Sequence, residues 1–339
     1  MTSHQDDLRH MNHALRLGRR GLGNVWPNPA VGCVLVRDGI VVGRGWTQPG
    51  GRPHAERVAL AQAGDLARGA TAYVTLEPCA HHGKTSPCAE ALVKAGVRRV
   101  VSALTDPDPR VAGRGHEILR VAGIEVTQGV CAAAARRAQA GFLSRLTRKR
   151  PFVTLKLATS FDGRIATASG ESRWITDEPA RRHVHGLRAR HDAIMVGGGT
   201  ARADHPSLNV RGFGVPRQPA RVIVSNRALP DLPAEGGDHG PLWQVSGAFD
   251  DIMADLAQRG VTRLFCEGGG EIAAGLLQGG WVDELVGYTA GVVLGADGRP
   301  GMGHLAYDAL GNAPRFELVE TRRIGPDLFH RWARPDAEF

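Results

Sequence analysis

The sequence predicts an α/β protein built of two domains. Patterns typical of strands and of helices alternate along a chain of 339 residues, which is long for a single hydrophobic core. A charge run that ends in proline, Arg148-Lys149-Arg150-Pro151, follows a helical pattern and would stop any helix that entered it. We therefore expect an α/β/α sandwich over residues 1–147 and a second α/β domain over residues 148–339.

The first domain is expected to open with an amphipathic helix from Asp6 to Arg20, because apolar residues recur there at helical spacing. Asp38-Gly39 lies between two runs of β-branched residues, which is a strong signal for a β-hairpin. The segments 106–110 and 113–115 predict a rigid loop at the carboxyl end of a strand, where open α/β sheets bind ligands, or else a simple connection. The other expected elements are helices that begin at His54 and Cys88, a helix over 132–146, and strands over 31–36, 40–42, 72–76 and 97–103.

The second domain repeats the alternation and has two glycine-rich junctions between a strand and a helix. They are Gly197-Gly198-Gly199-Thr200 and Glu267-Gly268-Gly269-Gly270. The second junction runs into a helix N-terminus, which favours phosphate binding, although close packing of a helix on a strand also requires glycine. The expected strands are 152–158, 193–196, 221–224, 263–266 and a closing strand over 284–293, and the expected helices are 177–190, 250–259 and 271–277.

Four residues of the first domain combine the side chains of a zinc site with a proton carrier. His54 and Glu56 stand two residues apart, and Cys79 and Cys88 follow with eight residues between them. One imidazole and two thiolates leave the fourth tetrahedral position open for water. Glu56 would then be free to move protons, as a non-ligand glutamate does in zinc nucleobase deaminases. We therefore expect His54, Cys79 and Cys88 to hold Zn²⁺ and Glu56 to be catalytic.

Three polar residues near these four have two interpretations each. His81 and His82 are rival metal ligands, but no helix fixes them, so we expect them on the substrate or phosphate side. Asn28 stands between two prolines and is either a turn residue or a substrate-binding residue whose amide meets a base edge.

Composition indicates the cellular compartment and the kind of partner that the protein binds. Five scattered cysteines indicate reduced thiols, and the N-terminal segment lacks the apolar core of a signal peptide, so we expect a cytoplasmic protein. No stretch approaches the ~18 apolar residues of a membrane span. The net charge of +8 would suit nucleic acid, but the arginines are dispersed and only 5% of residues are aromatic. We expect a phosphorylated small substrate and neither a nucleic acid nor a membrane as partner.

Motifs in both halves of the chain resemble those of one family. The first half carries His54-Ala55-Glu56 and Thr75-Leu76-Glu77-Pro78-Cys79. The second carries Ser160-Phe161-Asp162-Gly163, Ser172-Arg173-Trp174-Ile175-Thr176 and Asp204-His205-Pro206-Ser207-Leu208. Together these motifs, which extend over nearly the entire chain, closely resemble the bifunctional riboflavin-biosynthesis deaminase-reductases.

This resemblance implies a cytidine-deaminase-like first domain and a second domain similar in fold to dihydrofolate reductase. It implies that the first domain uses Zn²⁺ in the hydrolytic deamination of 2,5-diamino-6-(5-phosphoribosylamino)pyrimidin-4(3H)-one. It implies that the second uses NADPH to reduce the ribosyl group of 5-amino-6-(5-phosphoribosylamino)uracil to ribityl. The family also suggests a homo-oligomer, a dimer or a tetramer.

The resemblance further assigns residues of the second domain by position. The positions that match cofactor contacts are Ala158, Trp174, Thr200, Asp204, Ser225 and the run Gly269, Gly270, Glu271, Ile272, Ala273, Ala274 and Gly275. The positions that match substrate contacts are Ser172, Arg188, Leu208, Arg211 and Glu267.

Chemistry adds a hypothesis for Lys156, which with Glu267 could assist opening of a ribosylamine ring as acid and base. Arg188 and Arg211 suit a substrate phosphate, because a guanidinium fork matches phosphate oxygens; the alternative for Arg188 is a position on a helix surface.

Two other function classes stay open. One is a zinc deaminase that acts on nucleic acid, although that class predicts two residues between the cysteines where this chain has eight. The other is a domain that binds a nucleotide or a regulatory ligand and has lost catalysis in its second half.

Overall fold

The computed structural model describes residues 3–82, 86–108 and 112–335. The chain divides between Lys149 and Arg150 into two compact units, which are called the first and the second domain below. In the described ranges, no helix combines the length and the hydrophobicity needed to span a bilayer.

The first domain contains strands and helices in nearly the expected order. Its first helix is capped by Ser3, whose hydroxyl accepts from the Asp6 N–H while the Asp6 carboxylate accepts from the Ser3 N–H, a capping box. The described helices are α1 (His4–Gly18), α2 (Ala55–Ala63), α3 (Cys88–Lys94), α4 (Arg114–Val121) and α5 (Ala132–Thr147). The described strands are β1 (Gly32–Arg37), β2 (Ile40–Trp46), β3 (Thr71–Val74), β4 (Arg99–Ser102) and β5 (Glu125–Gln128).

These five strands form one sheet in the order β2-β1-β3-β4-β5. Strand β1 is antiparallel to both of its neighbours, whereas β3, β4 and β5 run parallel. The predicted hairpin is confirmed, since Asp38 and Gly39 turn between β1 and β2 with φ of 50° and 77°. Positive φ at both positions is what a two-residue turn of type I′ requires.

Helix α2 lies unusually close to strand β2, and this contact positions His54 at its start. A Cβ atom built on Gly45 would lie 2.1 Å from the Ala55 carbonyl oxygen, and one on Gly43 would lie 2.3 Å from that of Ala59. Only glycine leaves room for such an approach. The N-terminus of α2 is therefore fixed against the sheet, and His54 is its N-cap residue.

The second domain is built on a larger sheet. Its helices are α6 (Glu178–Arg188), α7 (Gly198–Asp204), α8 (Phe249–Gln258) and α9 (Gly270–Gln278). Its strands are β6 (Phe152–Ser160), β7 (Arg164–Ala166), β8 (Ala193–Gly197), β9 (Ala220–Val224), β10 (Leu242–Val245), β11 (Arg263–Cys266), β12 (Glu284–Ala290), β13 (Arg299–Pro300), β14 (Glu317–Ile324) and β15 (Asp327–Ala333).

Within the described residues, eight of these strands form a sheet in the order β10-β9-β8-β11-β6-β12-β15-β14, and β7 pairs with β13. The strands from β10 to β12 are parallel, whereas β15 is antiparallel to β12 and to β14. Cys266 at the end of β11 is level with Leu155 of β6, so the next residues, Glu267 and Lys156, are neighbours across the two strands. Register alone thus brings this acid and this base together.

Two expectations about the elements are wrong. The sequence predicts a loop over 113–115, but helix α4 begins at Arg114 after Gly113, which has a φ of 83° and no side chain to signal a cap. The sequence also predicts that the strand after residue 284 closes the domain, but this strand ends at Ala290, and the antiparallel pair β14 and β15 extends the sheet. Strand β14 lies at the edge of the sheet, and charged residues interrupt its apolar pattern, so hydrophobic periodicity does not predict it.

Candidate active sites

The three residues predicted to bind metal form a compact cluster in the first domain. The Nδ1 atom of His54 lies 3.6 Å from the Cys79 Sγ and 3.3 Å from the Cys88 Sγ. All three ligand atoms lie within 4.8 Å of one another. Ligands of a tetrahedral zinc ion stand roughly 3.5 Å apart, because each is 2.0–2.3 Å from the metal. The donor set and its spacing therefore fit zinc.

Hydrogen bonding inside this cluster separates the pKa values of the two thiols. The hydrogen bond with Cys88 lowers the pKa of Cys79 to about 4, and the same bond raises the pKa of Cys88 far above that of an ordinary thiol. The backbone N–H of Cys88 also donates to the Cys79 sulfur at 3.2 Å. The cluster thus stabilises a thiolate at Cys79, and a thiolate is the form that binds a metal.

Glu56 is buried in the first turn of α2, two residues after His54. Burial raises the pKa of its carboxyl group to about 7. A general acid-base works best when its pKa is close to the operating pH, so the environment of Glu56 suits proton transfer at neutral pH.

A cavity of about 310 Å³ opens beside this cluster, and His54, Glu56 and Cys79 form part of its wall. Asn28 also lines it, with its amide nitrogen 3.3 Å from the Val25 carbonyl oxygen. The predicted loop contributes through Asp106, whose pKa burial raises to about 6, and through Asp108; residues 109–111 lie outside the described part of the chain.

Neither rival histidine joins the described metal cluster. His81 lines the cavity, whereas His82 is exposed and stands 3.5 Å from the Glu90 carboxylate. Its position in the wall agrees with the expectation that His81 lies on the substrate side.

Sequence reasoning missed the residue that organises the far wall of this cavity, Glu77. Its buried carboxylate accepts backbone N–H bonds of 2.9–3.3 Å from four residues, namely Asp106, Gly113, Gly115 and His116. The bonds connect the residue two positions before Cys79 to the loop before α4 and to the first turn of α4. Glu77 belongs to one of the family's motifs, but its acceptor role depends on residues 29 to 39 positions away.

Helix α5 supplies another part of the wall that sequence reasoning missed. Phe142, Arg145 and Leu146 line the cavity from its last turns. They follow His54 by nearly ninety residues, and only the packed fold brings them to the metal cluster.

The second domain contains a cavity of about 780 Å³ that gathers ten of the residues predicted for the reductase. It lies at the middle of the parallel sheet, beside residues 156–158 within β6 and beyond the carboxyl ends of β8 and β11. The ten are Lys156, Ala158, Ser172, Trp174, Arg188, Thr200, Asp204, Arg211, Glu267 and Gly269.

The other predicted residues of this domain do not line the cavity. Ser225 lies behind α7, since a Cβ on Gly198 would come within 2.5 Å of its hydroxyl. Leu208 belongs to a buried apolar cluster with Ile194 and Ile223. The remaining predicted residues continue into α9: Gly270, Glu271, Ile272, Ala273, Ala274 and Gly275, of which Ala273 and Ala274 are buried.

Three charged side chains meet at the base of this cavity. The Arg188 Nη2 donates to Glu267 Oε2 at 3.1 Å, its Nε donates to Oε1, and the Lys156 Nζ lies 3.9 Å from Oε2. Burial lowers the pKa of Lys156. Burial alone would raise the pKa of Glu267, but the charges of Arg188 and Lys156 hold it below its usual value. Glu267 is therefore an ionised group that holds two cations.

Helix α6 contributes five cavity-lining residues that sequence reasoning missed: Glu178, Arg181, Arg182, Val184 and His185. Arg181 stacks on the predicted Trp174, with its guanidinium carbon 4.6 Å from the ring centroid. The signal was available, because 181, 185 and 188 recur at the spacing of one helix face.

Comparison with known proteins covers both domains. Residues 151–330 match the family model described as the RibD C-terminal domain, and residues 4–104 match the cytidine and deoxycytidylate deaminase zinc-binding region. The chain is 42% identical to the riboflavin biosynthesis protein RibD of Escherichia coli (strain K12), over 95% of this chain and 98% of that one.

Solved structures agree over the same length. Acinetobacter baumannii RibD, form 1, has a TM-score of 0.89 and 38% identity, over 98% of this chain and 99% of that one. A Thermotoga maritima protein described as a diaminohydroxyphosphoribosylaminopyrimidine deaminase/5-amino-6-(5-phosphoribosylamino)uracil reductase has a TM-score of 0.87 and 33% identity, with the same coverage.

Proposed function

The chain belongs to the RibD family, the bifunctional deaminase-reductases of riboflavin biosynthesis, and from that premise we propose which residues carry each activity. It is a hydrolase and an oxidoreductase in one chain. Its fold is the expected one, a cytidine-deaminase-like α/β/α sandwich followed by an α/β domain similar to dihydrofolate reductase.

We assign the deaminase to the first domain, with 2,5-diamino-6-(5-phosphoribosylamino)pyrimidin-4(3H)-one as its substrate. The Thermotoga maritima protein, at 33% identity, is described by this pair of activities, which supports the assignment. His54, Cys79 and Cys88 would hold Zn²⁺, whose Lewis acidity makes water a nucleophile near neutral pH. In the reaction a C–O bond forms at the ring carbon, the C–N bond breaks and ammonia leaves.

Glu56 would move the proton in this reaction. Its carboxylate takes a proton from the attacking water and passes it to the departing amine, so no proton is gained or lost at the residue. The amide of Asn28 and the carboxylates of Asp106 and Asp108 line the same cavity and would hold the pyrimidine.

We assign the reductase to the second domain, with 5-amino-6-(5-phosphoribosylamino)uracil as substrate and NADPH as the hydride donor. The β11–α9 junction supports a cofactor phosphate there, because Gly269 faces the cavity and a Cβ on it would meet only the Thr200 hydroxyl, at 3.3 Å. That leaves the first N–H groups of α9, a helix of nine residues, accessible to an anion. The other predicted cofactor residues, such as Trp174 and Asp204, would lie along the same wall.

Lys156 would protonate the ribose ring oxygen as the C1′–O bond breaks and the ribosylamine opens to its imine. Glu267 accepts two cations and has a lowered pKa, so it is a weak base. We therefore give Glu267 the role of holding Lys156 charged and in place, rather than that of the base.

The observation that carries the proposal is the compact His54, Cys79 and Cys88 cluster beside a cavity that also exposes Glu56. The test is to incubate the pure full-length protein, with its zinc content measured, first with the diaminopyrimidine and then with NADPH. Ammonia release and then NADPH oxidation are expected. Zinc-loaded protein that releases no ammonia would refute the deaminase, and no NADPH oxidation on the deaminated product would refute the reductase.

We further propose that the protein is cytoplasmic and forms a homo-oligomer, a dimer or a tetramer, as the family suggests. Sedimentation equilibrium on the full chain tests the second statement, because a mass of 36.1 kDa at all concentrations would mean a monomer.

A further inference from the structure

The two arginines predicted to bind the substrate phosphate differ in their partners. Arg188 is engaged by the Glu267 carboxylate and donates through Nη1 to the Asn209 carbonyl oxygen at 2.9 Å. Arg211 forms no ion pair with any described carboxylate, and its guanidinium meets only the His185 ring. Arg211 is therefore the uncompensated cation of this pair in the cavity wall.

His185 faces Arg211 with both of its ring nitrogens. Its Nδ1 lies 3.2 Å from the backbone nitrogen of Arg211 and accepts that N–H. A neutral imidazole whose Nδ1 accepts must carry its proton on Nε2. Burial lowers the pKa of His185 and the charges of Arg188 and Arg211 lower it further, whereas the Glu267 charge and a hydrogen bond with the Asn209 backbone raise it by less. The net pKa is lowered, so the neutral form prevails.

The Nε2–H of His185 and the Nη2 of Arg211 are both donors, and they stand 3.5 Å apart in the wall of the cavity. Two donors cannot satisfy each other. They can share an acceptor that lies between them, and a phosphate oxygen suits such a pair because it accepts several hydrogen bonds and carries negative charge.

The segment that carries Arg211 is fixed on helix α6. A Cβ on Gly186 would lie 3.3 Å from the Phe213 ring, so the loop packs directly over the residue that follows His185. His185 and Arg188 both line the cavity from this helix, beside Val184. Packing of Phe213 thus holds the loop beside His185, and in the structure the Arg211 and His185 side chains already stand together.

We propose that His185 is a further substrate-binding residue of the reductase, whose Nε2–H and the Arg211 guanidinium together bind the phosphate monoester of the substrate. This inference rests on the proposed function of the second domain. It assigns Arg188 to Glu267 and leaves the phosphate to Arg211 and His185.

The test compares His185→Leu, which removes both ring functions, with His185→Gln, whose amide can accept from the Arg211 N–H and donate to a phosphate. The readouts are the ratio of kcat/KM for the phosphorylated substrate to that for its dephosphorylated riboside, and calorimetric binding of ribose 5-phosphate. His185→Leu is expected to lower the ratio and the ribose 5-phosphate affinity by roughly 10- to 100-fold, and His185→Gln to stay within about threefold of wild type.

Failure of the role proposed for His185 can be distinguished from failure of the reductase assignment. Equal losses on the phosphorylated substrate and the riboside would give His185 a structural role only, and equal ribose 5-phosphate binding by wild type and His185→Leu would also overturn the inference. Wild type that oxidises no NADPH with either substrate would refute the reductase assignment, whereas ribose 5-phosphate binding would still decide the role of His185. Thermal unfolding checks that each variant folds, and His185→Ala replaces His185→Leu if the latter precipitates.

Discussion

The Arg188 guanidinium and the Glu267 carboxylate form a buried two-point ion pair, in which Nη2 lies 3.1 Å from Oε2 while Nε donates to Oε1. The Arg188 and Glu267 side chains are 14% and 9% exposed, so water screens the pair weakly. Removing one member of such a pair leaves an uncompensated buried charge, and that costs more than the pair itself contributes.

Arg188→Met is therefore expected to lower the free energy of unfolding of the second domain by about 3 kcal/mol. The double variant Arg188→Met/Glu267→Gln should recover part of that loss, because it removes a carboxylate that Lys156, 3.9 Å away, compensates only in part. Burial lowers the pKa of Lys156, so its neutral amine is favoured once the carboxylate is gone. Urea unfolding of the full chain measures both. Arg259→Met is the matched control, since its pair with Asp255 is exposed and should cost less than about 1 kcal/mol. A double variant less stable than Arg188→Met would contradict the account.

Lys156 is expected to be essential for the reductase and irrelevant to the deaminase. Lys156→Met removes the proposed proton donor to the ribose ring oxygen, so kcat for NADPH oxidation should fall by about 10²–10⁴-fold. Ammonia release by the same preparation should match wild type. Full NADPH turnover by Lys156→Met would remove Lys156 from the mechanism.

Glu56→Gln should reverse that pattern. The amide keeps the size of the side chain but cannot carry a proton, so ammonia release should fall by roughly 10²–10⁴-fold. NADPH oxidation on product supplied already deaminated should persist. Glu90→Gln is the control on the neighbouring helix α3, where the side chain is partly exposed beside His82. Retained deamination in Glu56→Gln with normal zinc content would show that another group carries the proton.

Cys88→Ala is expected to abolish stable zinc binding, because it leaves two of the three protein ligands of the cluster. The measurement is zinc per chain after dialysis against a weak chelator, with about one equivalent in wild type and less than about a tenth in the variant. Cys131→Ser is the matched control, since Cys131 is a partly buried cysteine at the start of α5, outside the cluster. Equal zinc in Cys88→Ala and wild type would exclude the cluster as the metal site.

The metal site could be predicted from the sequence because its parts are local. His54, Cys79 and Cys88 lie within 35 residues of one another. His54 and Cys88 each stand at the start of a helix and directly follow a proline, which is a sequence signal for a helix N-terminus. The walls of the same cavity could not be predicted in this way. Phe142 and Arg145 reach the site through the packing of α5, which no local pattern encodes.

In the second domain, the sequence predicted which charged residues belong to the site but not which of them pair with each other. Matching by position predicted that Arg188, Arg211 and Glu267 contact the substrate. The structure places all three in the wall of one cavity and shows that Arg188 is held by Glu267. A sequence pattern identifies charged residues and not the pairs they form. Helix spacing could have placed His185 on the same face as Arg188, but its hydrogen bond with Arg211, 26 positions away, could not be predicted from a local pattern.

Stability of the second domain should fall in acid through His191, a buried side chain in a neutral hydrogen-bond network. Its Nδ1 donates to the Leu187 carbonyl oxygen at 2.8 Å, and its Nε2 lies 3.1 Å from the Thr154 hydroxyl. Burial lowers the pKa of His191 to about 3, whereas the unfolded chain has the ordinary value of about 6.5. Between these two values the unfolded state binds a proton that the folded state does not.

The free energy of unfolding therefore rises with pH in this window, and as pH falls below about 6.5 it drops by up to roughly 1.4 kcal/mol per pH unit. His191→Gln cannot titrate, so its stability should vary with pH by about one proton less than that of wild type, even if the variant is less stable at every pH. Urea unfolding measured from pH 7 to pH 5 gives the slope of the free energy of unfolding against pH for each protein. In the difference between the two slopes, the contributions of the carboxylates and histidines that both proteins share cancel. Equal slopes for the two proteins would mean that His191 is protonated in the folded domain and would contradict this prediction. Both ring nitrogens would then be donors, Nδ1 to the Leu187 carbonyl oxygen and Nε2 to the Thr154 hydroxyl.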